Sequence, residues 1–307
     1  MMKLTPEALL ILPRLRIENA NTVSSPLTWG FPSITAVLGF THALERKIQE
    51  HGQQLTCGGV AAVCHSFEAQ VTKSGYEHIF CLTRNPLTKE GDAPAMVEEG
   101  RAHMTVSLLI QLSGESCQGT DSQREDVSSQ IVDLVQTLRF AGGSIFVQQS
   151  AKYPAKLLRW PLDEKQQKKI RRNLLPGFAL ISREDLLKDK EDMLEAWVDQ
   201  SSVHYDPPDD DNEEWSIRPK AGWIVPIPIG YQAISEVLSP GTVKNARDYK
   251  TFFRFVENIY SLGQWISPHR INDINHLFWH YEPNPEQGVY RCINHNHFFN
   301  LTQEIDV

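Results

Sequence analysis

Two arginines on an N-terminal strand, followed by a loop rich in amide and hydroxyl side chains, could together bind a single-stranded nucleic acid. Residues 9–12 are apolar and the next residues alternate between polar and apolar, which predicts a strand with one buried face. Guanidinium groups bind phosphates, while amides and hydroxyls can hydrogen-bond to unstacked bases. An ordinary first strand with solvent-facing arginines is the alternative on pattern alone. The candidate residues are Arg14, Arg16, Asn19, Asn21, Ser24 and Ser25.

Histidines could instead supply general acid–base catalysis. A catalytic base needs a partner that orients it, and none is evident in the sequence. No serine-hydrolase elbow, phosphate-binding P-loop, zinc-protease helix or EF-hand pattern occurs. The candidates by position are His42, His51, His65 and His103.

Histidines near the C-terminus could bind a metal. His276 and His280 would share a helix face, and His295 and His297 would share a strand face, so either pair could begin a zinc site. Their spacing matches no known zinc finger, and neighbouring asparagines favour hydrogen-bonded surface histidines. We therefore predict no metal and no cofactor.

The elements that would position the first candidate residues follow a repeating plan. Their order is strand, helix, strand, excursion, strand, helix, strand, which is the βαββαβ plan of ferredoxin-like and RNA-recognition-motif (RRM-like) domains. The predicted fold class is therefore α+β. The predicted elements are strands at 9–18, 55–71, 101–112 and 144–147, helices at 33–50 and 124–140, and a hairpin excursion at 70–103.

Beyond residue 147 the pattern becomes mixed. We predict a basic surface helix at 163–175, a helix at 183–198, an acidic loop at 204–214, an edge strand at 223–230, a helix at 248–262 and a terminal hairpin. A divalent-cation site in the acidic loop is a further alternative, although no glycine-punctuated calcium pattern is present. The predicted domains are 1–150, a basic and then acidic insertion at 151–220, and a C-terminal segment at 221–307 that packs back on the first.

The composition is that of a folded protein with 307 residues, 41% apolar residues and a net charge of −8. This charge argues against a free-standing nucleic-acid binder, but it allows a local basic face. Residues 152–172 carry eight basic residues against two acidic ones, and residues 183–199 carry seven acidic residues against three basic ones. No apolar run is long enough for a membrane span, and five dispersed cysteines fit reduced thiols in the cytoplasm.

The stretch NANTVSSPLTWGFPSITAVLGFTHAL at residues 19–44 resembles the N-terminal signature of the second Csy protein family of type I-F CRISPR surveillance (Cascade) complexes. The resemblance extends to LLILPRLRI, LRFAGGSI and WIVPIPIGY. It implies an RRM-like, non-catalytic subunit that holds the 5′ handle of the guide RNA (crRNA) in antiviral defence. Its partners would be the large Csy subunit and the adjacent backbone subunit, with target DNA reached through the complex and no membrane.

The resemblance also implies two more groups of RNA-binding residues. A glycine-rich turn between the last helix and last strand lets the backbone approach phosphates, although a double glycine can equally be a plain helix cap. The excursion at 70–103 corresponds to a thumb-like hairpin that wedges between nucleotides. These residues are Gly142, Gly143 and Ser144 in the turn, and Lys73, Arg84, Lys89 and Arg101 in the excursion.

Two alternatives stay open from the sequence. One is a metal-independent endoribonuclease of the same superfamily, and the other is a protein-interaction module without RNA contact, which the acidic balance favours. Whether the basic block at 152–172 faces DNA, RNA or protein is also open.

Overall fold

The computed structural model describes residues 5–88, 90–147, 152–188, 190–208, 214–220, 222–244, 246 and 248–295. Within these residues the α-helices are α1 (Ile34–Glu50), α2 (Asp121–Val135), α3 (Glu164–Asn173) and α4 (Met193–Ser201). The strands are β1 (Ala8–Asn21), β2 (Val23–Ser25), β3 (Thr28–Trp29), β4 (Thr56–Ala69), β5 (Val71–Ser74), β6 (Glu77–Phe80), β7 (Leu82–Arg84), β8 (Met96–Glu98), β9 (Arg101–Ser113), β10 (Arg139–Phe140), β11 (Gly143–Phe146), β12 (Lys156–Arg159), β13 (Phe178–Ser182), β14 (Tyr205–Asp206), β15 (Ser216–Ile217), β16 (Trp223–Ala233), β17 (Val256–Ile266), β18 (Trp279–Asn284) and β19 (Val289–Asn294).

One large antiparallel sheet organises the chain, so the protein is mixed α and β. Its strands run in the order β10-β11-β1-β9-β4-β13-β17-β16-β19-β18, and β12 also pairs with β1. The long central strands are β1, β9 and β4. Neighbouring strands in the order β11-β1-β9-β4 are antiparallel. The first and third predicted strands are therefore neighbours at the centre, and the second and fourth lie outside them.

The far end of the sheet folds back on β4. Trp279 of β18 pairs with Val60 of β4, while β13 pairs with the same edge of β4 through Ala179 and Val63. Strands β4, β13, β17, β16, β19 and β18 thus close a ring. The Trp279 indole is buried and its Nε1–H donates to the Leu180 carbonyl oxygen at 2.8 Å, which fixes the closure.

Two apolar cores lie on the two faces of the sheet. Helices α1 and α2 cover one face through residues such as Leu38 and Ile131. On the other face, α3 contributes Ile170, which joins Leu9 in the second core. The first residues of β1 are therefore buried on both sides, which explains why residues 9–12 form a continuous apolar run.

Two β-bulges interrupt the pairing of β1 with β9. The register shifts between Leu12 and Leu15 and again between Ile17 and Ala20. Each bulge places an extra residue in β1 and changes which side chains face the core, because alternation has a period of two. Leu15 and Ile17 consequently continue the buried row formed by Leu10 and Leu12.

Most of the predicted elements in the first 150 residues occur close to their predicted positions, but two later helices do not. The predicted helix at 248–262 is wrong, because Val256–Ile266 forms β17 between β13 and β16. The predicted helix at 183–198 is a 3₁₀ turn at Glu184–Leu187 followed by α4, which begins after the Asp192 cap. In both segments the spacing of the apolar residues fits a helix and a strand alike. In the segment at 248–262, pairing with β16 makes Val256–Ile266 a strand.

The predicted edge strand at 223–230 forms β16, which has neighbours on both sides over only part of its length. Strand β17 pairs with β16 throughout, including Pro226 and Pro228. Strand β19 pairs only with Gly230, Tyr231 and Gln232. The prolines thus occupy the half of β16 that has one neighbour, where a missing N–H donor costs no ladder bond.

The division of the chain into three domains stays a prediction. Within the described residues, no helix is both long and apolar enough to cross a membrane.

A glycine in the ring gives a test of its packing. A Cβ at Gly230 would lie 2.1 Å from the Tyr290 carbonyl oxygen. We expect Gly230→Ala to lower the free energy of unfolding by about 1–3 kcal/mol, because backbone must move to relieve the overlap. The matched control is Gly39→Ala in α1, where a Cβ meets nothing within 4 Å and should raise stability by about 0.5–1 kcal/mol. Urea unfolding measures both, and equal stability of the two variants would contradict the β16–β19 contact.

Candidate nucleic-acid interface

The bulges in β1 determine where the candidate residues point. Arg14 and Asn19 each sit in a bulge with positive φ, 48° and 57°. Their N–H groups do not reach the ladder, and side chains of β9 accept them instead: Ser107 Oγ at 2.9 Å for Arg14 and His103 Nδ1 at 3.2 Å for Asn19.

Arg14 is half-buried and contacts other parts of the protein, and its role in RNA binding stays a prediction. Its guanidinium donates to the Leu175 carbonyl oxygen at 2.9 Å and lies 4.5 Å from the centre of the Tyr153 ring. The first bulge turns this side chain toward the segment after α3. Arg14 therefore joins the sheet to that segment.

The second bulge leaves an exposed polar rim at the end of β1. Arg16 has a side chain that is 58% exposed and pairs with Glu18 at 2.5 Å. Asn19 and Asn21 are exposed, and the Asn21 amide closes a local turn by bonding to Val23. These three residues match the expected surface placement.

The glycine turn lies directly beside this rim. Asn21 N–H donates to the Ala141 carbonyl oxygen at 2.8 Å, and Glu18 is in register with Ser144. Gly142 is exposed with φ of 79°, a conformation that favours glycine. Gly143 is buried, and a Cβ there would lie 2.8 Å from the backbone of β1. The predicted adjacency of the turn and the rim is therefore present.

The two serines in the loop after β1 differ in exposure. Ser25 is buried and its hydroxyl is 2.6 Å from the Thr28 hydroxyl, so it stabilises the β2–β3 turn. Ser24 is half-buried and also contacts Thr28, at 2.9 Å. Only Ser24 lines the neighbouring cavities.

A polar cavity of about 460 Å³ opens next to the rim. Asn21, Ser24 and Ala141 form one side of it. The first turn of α1 forms another side, with Ser33 as the N-cap whose hydroxyl accepts the Ala36 N–H at 3.4 Å. Tyr231 and Tyr290, from the C-terminal segment, complete it. Hydroxyls, amides and a helix N-terminus together favour an anionic or polar ligand.

A second cavity of about 490 Å³ shares Ser24, Pro32 and Ser33 with the first. Its walls include six aromatic rings and come from five parts of the chain. The half of β16 with the prolines forms one wall. We call this cavity the aromatic cleft; its rings are Trp29, Phe31, Phe67, Phe178, Trp223 and Trp265.

The predicted excursion at 70–103 consists of two small hairpins outside the main sheet. One pairs β5 with β6 and the other pairs β7 with β8. Lys73 and Arg84 are exposed on them, whereas Lys89 lies outside the described residues. Arg101 is at the root, where it is 31% exposed, pairs with Glu99 and contacts the Asn19 carbonyl oxygen at 3.4 Å. The root of the excursion therefore adjoins the rim.

Sequence reasoning missed four residues of this region. Tyr76 is fully exposed at the tip of the β5–β6 hairpin. Arg139, just before the glycine turn, is exposed and donates to the Ser144 hydroxyl. Arg139 could have been found in the LRFAGGSI stretch, but no local signal connects Tyr231 and Tyr290 with residues near position 21.

His65, one of the candidates for catalysis, lies in an internal hydrogen-bond network. His65 lies 2.6 Å from the Pro176 carbonyl oxygen through Nδ1 and 2.7 Å from Ser107 Oγ through Nε2. Because a carbonyl must accept, Nδ1 carries the proton and Nε2 accepts from Ser107. Burial lowers the pKa of His65. Ser107 is itself buried, so this pair presents no accessible nucleophile.

Two further candidate histidines contact neighbouring groups of the protein. His42 lies with its ring 4.6 Å from that of Tyr281, and burial lowers its pKa. His51 bonds to the Lys47 carbonyl oxygen at 2.8 Å. In the part of the chain that is described, no group of three or more His, Cys, Asp or Glu side chains could hold a metal ion. His297 lies outside the described residues.

Comparison with known proteins agrees with the resemblance seen in the sequence. The family model of CRISPR-associated protein (Cas_Csy2) matches residues 10–292. A relative named CRISPR-associated protein Csy2, from Pseudomonas aeruginosa (strain UCBPP-PA14), is 43% identical over 313 residues. This similarity covers 93% of the chain and 95% of the relative.

The two half-buried imidazoles of His42 and His65 predict that the fold weakens in mild acid. Burial lowers the pKa of both His42 and His65, so below about pH 6.5 the unfolded chain binds protons that the folded chain does not. Stability is therefore full above about pH 6.5 and falls as the pH drops below it. Urea unfolding measures the free energy of unfolding at pH 7.5 and at pH 5.5. The loss of this free energy between the two pH values should be smaller for His42→Gln/His65→Gln than for the native chain. An unchanged difference would contradict these roles.

Proposed function

The chain belongs to the CRISPR-associated Csy2 family, and from this membership we propose that it is a subunit of a type I-F crRNA-guided surveillance complex in antiviral defence. In this complex it would bind the 5′ handle of the crRNA and pair with the large Csy subunit. It would contact the adjacent backbone subunit and would reach target DNA through the complex. Such a subunit would work in the cytoplasm.

The observation that carries the RNA proposal is the adjacency of the rim, the glycine turn and the polar cavity. Arg16 and Arg139 supply exposed guanidinium groups for phosphates. Gly142 lets a phosphate approach the backbone closely. Asn19 and Asn21 can bond to base edges or sugar hydroxyls. An acidic protein with this local arrangement can hold a polyanion at one place and repel it elsewhere.

The aromatic cleft supports the proposal because it adjoins the polar cavity. Single-stranded RNA is recognised through bases that leave their stack and lie against aromatic rings. A strand held at the rim by its phosphates would have bases within reach of Trp29, which lines the cleft and is 59% exposed. Phosphate contacts would set the position of the strand, and the cleft would accept one or more bases.

The arrangement of the three long strands β1, β9 and β4 and the short strand β11 also supports an RRM-like domain. The order β11-β1-β9-β4 with antiparallel neighbours, and helices α1 and α2 on one face, fits the βαββαβ plan. The rim residues Arg16 and Asn19 lie on the strand at its centre. We therefore assign the RNA-binding role to this part of the sheet.

For the excursion we propose a thumb-like role. Its root bonds to the rim loop through Thr22 N–H and the Gly100 carbonyl oxygen, at 3.0 Å. Lys73 and Arg84 can contact phosphates, and the exposed Tyr76 ring at the tip can insert between bases.

We further propose that the subunit is not an enzyme. The endoribonuclease alternative needs a histidine that can exchange a proton with RNA. His65 is used for internal hydrogen bonds, and His103 Nδ1 accepts the bulge N–H of Asn19. Cleavage of repeat RNA by the pure protein, lost in His→Ala variants, would favour the alternative.

A different surface supports pairing with another protein. Helix α4 packs inward through Trp197, whose Nε1–H donates to the Ser261 carbonyl oxygen at 3.0 Å. Outward it exposes Leu194 (67%) and Val198 (48%) beside Glu195 and Asp199, and it contains no lysine or arginine. An exposed apolar patch with acidic neighbours favours a protein partner with apolar and basic residues over a nucleic acid. We propose this α4 surface for the large subunit.

The RNA proposal predicts a loss of binding on charge reversal at the rim. Arg16→Glu/Arg139→Glu should weaken handle RNA binding about tenfold or more and lower its salt dependence, because two phosphate contacts are lost. Binding is measured with the full chain and in the assembled complex. The control, Arg46→Glu/Lys188→Glu, makes the same charge change on exposed residues elsewhere and should bind nearly normally. Equal loss in both variants would show a non-specific charge effect and contradict the site.

The pairing proposal predicts that acidic residues on the α4 surface separate the two proteins. Leu194→Asp/Val198→Asp should reduce co-purification with the large subunit at least about tenfold, because apolar contact is lost at the centre of the interface. Handle RNA binding by the isolated chain should not change. Ile234→Asp/Val237→Asp, at residues that are also exposed, is the control. Normal pairing of the α4 variant would exclude this surface.

A further inference from the structure

The sheet face opposite helices α1 and α2 is covered over part of its length by the described residues. Near the start of β1, Leu9 on this face packs with Ile170 of α3 in the second core. The segment after α3 lies over the next part, where His65 Nδ1 donates to the Pro176 carbonyl oxygen at 2.6 Å. Beyond that segment the side chains of this face are exposed or half-buried.

A row of side chains crosses this exposed end of the face from β11 to β4. Phe146 of β11 is in register with Arg16 of β1. Thr105 of β9 is in register with Arg16 on one side and with Ser66 of β4 on the other. Directly opposed residues of antiparallel strands point to the same face, with Cβ atoms about 5 Å apart. Ile17, the residue after Arg16, lies in the first core, so the row is on the face away from α1 and α2.

A second row on the same face contains Arg139. Arg139 is in register with Ser144, and Ser144 is in register with Glu18. Arg139 and Arg16 are the two phosphate contacts proposed above, so both place a bound strand on this face. We call it the open sheet face; its residues are Arg16, Ser66, Thr105, Arg139, Ser144 and Phe146.

Phe146 gives the open sheet face an aromatic ring beside a cation. It is 48% exposed, whereas the preceding residue, Ile145, is buried. A single exposed phenylalanine is common on protein surfaces, but this ring is the direct cross-strand neighbour of an exposed guanidinium. A ring offers stacking to a planar base, and a guanidinium offers an ion pair to a phosphate. A nucleotide of a single strand combines both chemistries.

Glu18 holds the Arg16 guanidinium in the absence of a ligand. The two side chains pair at 2.5 Å, and that of Arg16 is 58% exposed. An exposed ion pair of this kind contributes little free energy, so a phosphate can replace the carboxylate. The Glu18 carboxylate therefore occupies the position that phosphate oxygens take when RNA binds.

We propose that the open sheet face binds one unpaired base of single-stranded RNA, stacked on the Phe146 ring, with the adjacent phosphate on Arg16. This site rests on the RNA-binding role proposed above and adds a base contact to it. The aromatic cleft lies on the other face, because its residue Phe67 is in register with Met104 of the first core. The two faces therefore receive different nucleotides of the strand.

The first test measures binding of handle RNA by the full chain and by the assembled complex. Phe146→Ala should weaken binding about tenfold, because the stacking of one base is lost. Phe146→Trp should bind at least as tightly as the native chain, because a larger ring keeps the stacking surface. The control is Phe255→Ala, which removes another ring that is 48% exposed and should bind normally. All three variants should melt at the native temperature.

RNA with a single abasic nucleotide identifies the stacked base. Each position of the handle loses its base in turn, and the native chain is compared with Phe146→Ala on every RNA. At one position the missing base should weaken binding by the native chain about tenfold and binding by Phe146→Ala no further, because both changes remove the same contact. The same comparison with Trp29→Ala should identify a different position, since Trp29 lines the cleft.

The ion pair gives a test in the opposite direction. Glu18→Gln should raise the affinity for handle RNA about two- to fivefold, because the Arg16 guanidinium no longer has to leave a carboxylate. Unchanged or weaker binding by Glu18→Gln would contradict the placement of a phosphate on Arg16.

Failure of the stacking site and failure of the RNA role give different results. Normal RNA binding by Phe146→Ala, together with a loss in Arg16→Glu/Arg139→Glu, would overturn the stacking site and leave the rim. A Phe146→Ala defect of the same size on every abasic RNA would show an effect on the fold or on a protein contact, and would also overturn it. Absence of RNA binding by the native chain, alone and in the complex, would remove both proposals.

Discussion

The placement of functional groups in this protein depends on how two extra residues in β1 satisfy their backbone N–H groups. A bulge in a central strand leaves a donor without a ladder partner, and a buried donor without a partner costs about 1–3 kcal/mol. Strand β9 supplies an acceptor at each place, Ser107 for Arg14 and His103 for Asn19. With these acceptors in place, each of the two bulges shifts by one residue which side chains of β1 face the core. Strand β1 can remain buried over its apolar length and still present Arg16 and Asn19 to solvent.

The same acceptors connect the bulges to the rest of the fold. Ser107 also bonds to His65, and His65 bonds to the segment after α3, where Arg14 donates to Leu175. The second core, on the α3 side of the sheet, is thereby joined to the first bulge by polar contacts as well as by packing. His65 and Arg14, which the sequence suggests for catalysis and for RNA binding, both belong to this internal network.

The sequence predicts the first half of the fold well, because its elements have clear periodicity. Helix α1 and strands β1, β4 and β9 follow from apolar spacing and from local caps such as Ser33. The bulge at Arg14 could not be predicted, since a bulge depends on the partner strand as much as on the residues of the bulged strand. Strand β17 was predicted as a helix because its aromatic and apolar residues fit both periods. Tyr231 and Tyr290 reach the polar cavity only through the ring closure, which long-range pairing determines.

The ring closure has a consequence for how the chain folds during synthesis. The edge of β4 that accepts Trp279 leaves the ribosome more than two hundred residues before that tryptophan does. Contacts between residues so far apart in sequence form slowly, since the intervening chain must first be ordered. During this interval the edge of β4 is open to pairing with another nascent chain. The β18–β19 hairpin therefore acts as the cover that ends this exposure.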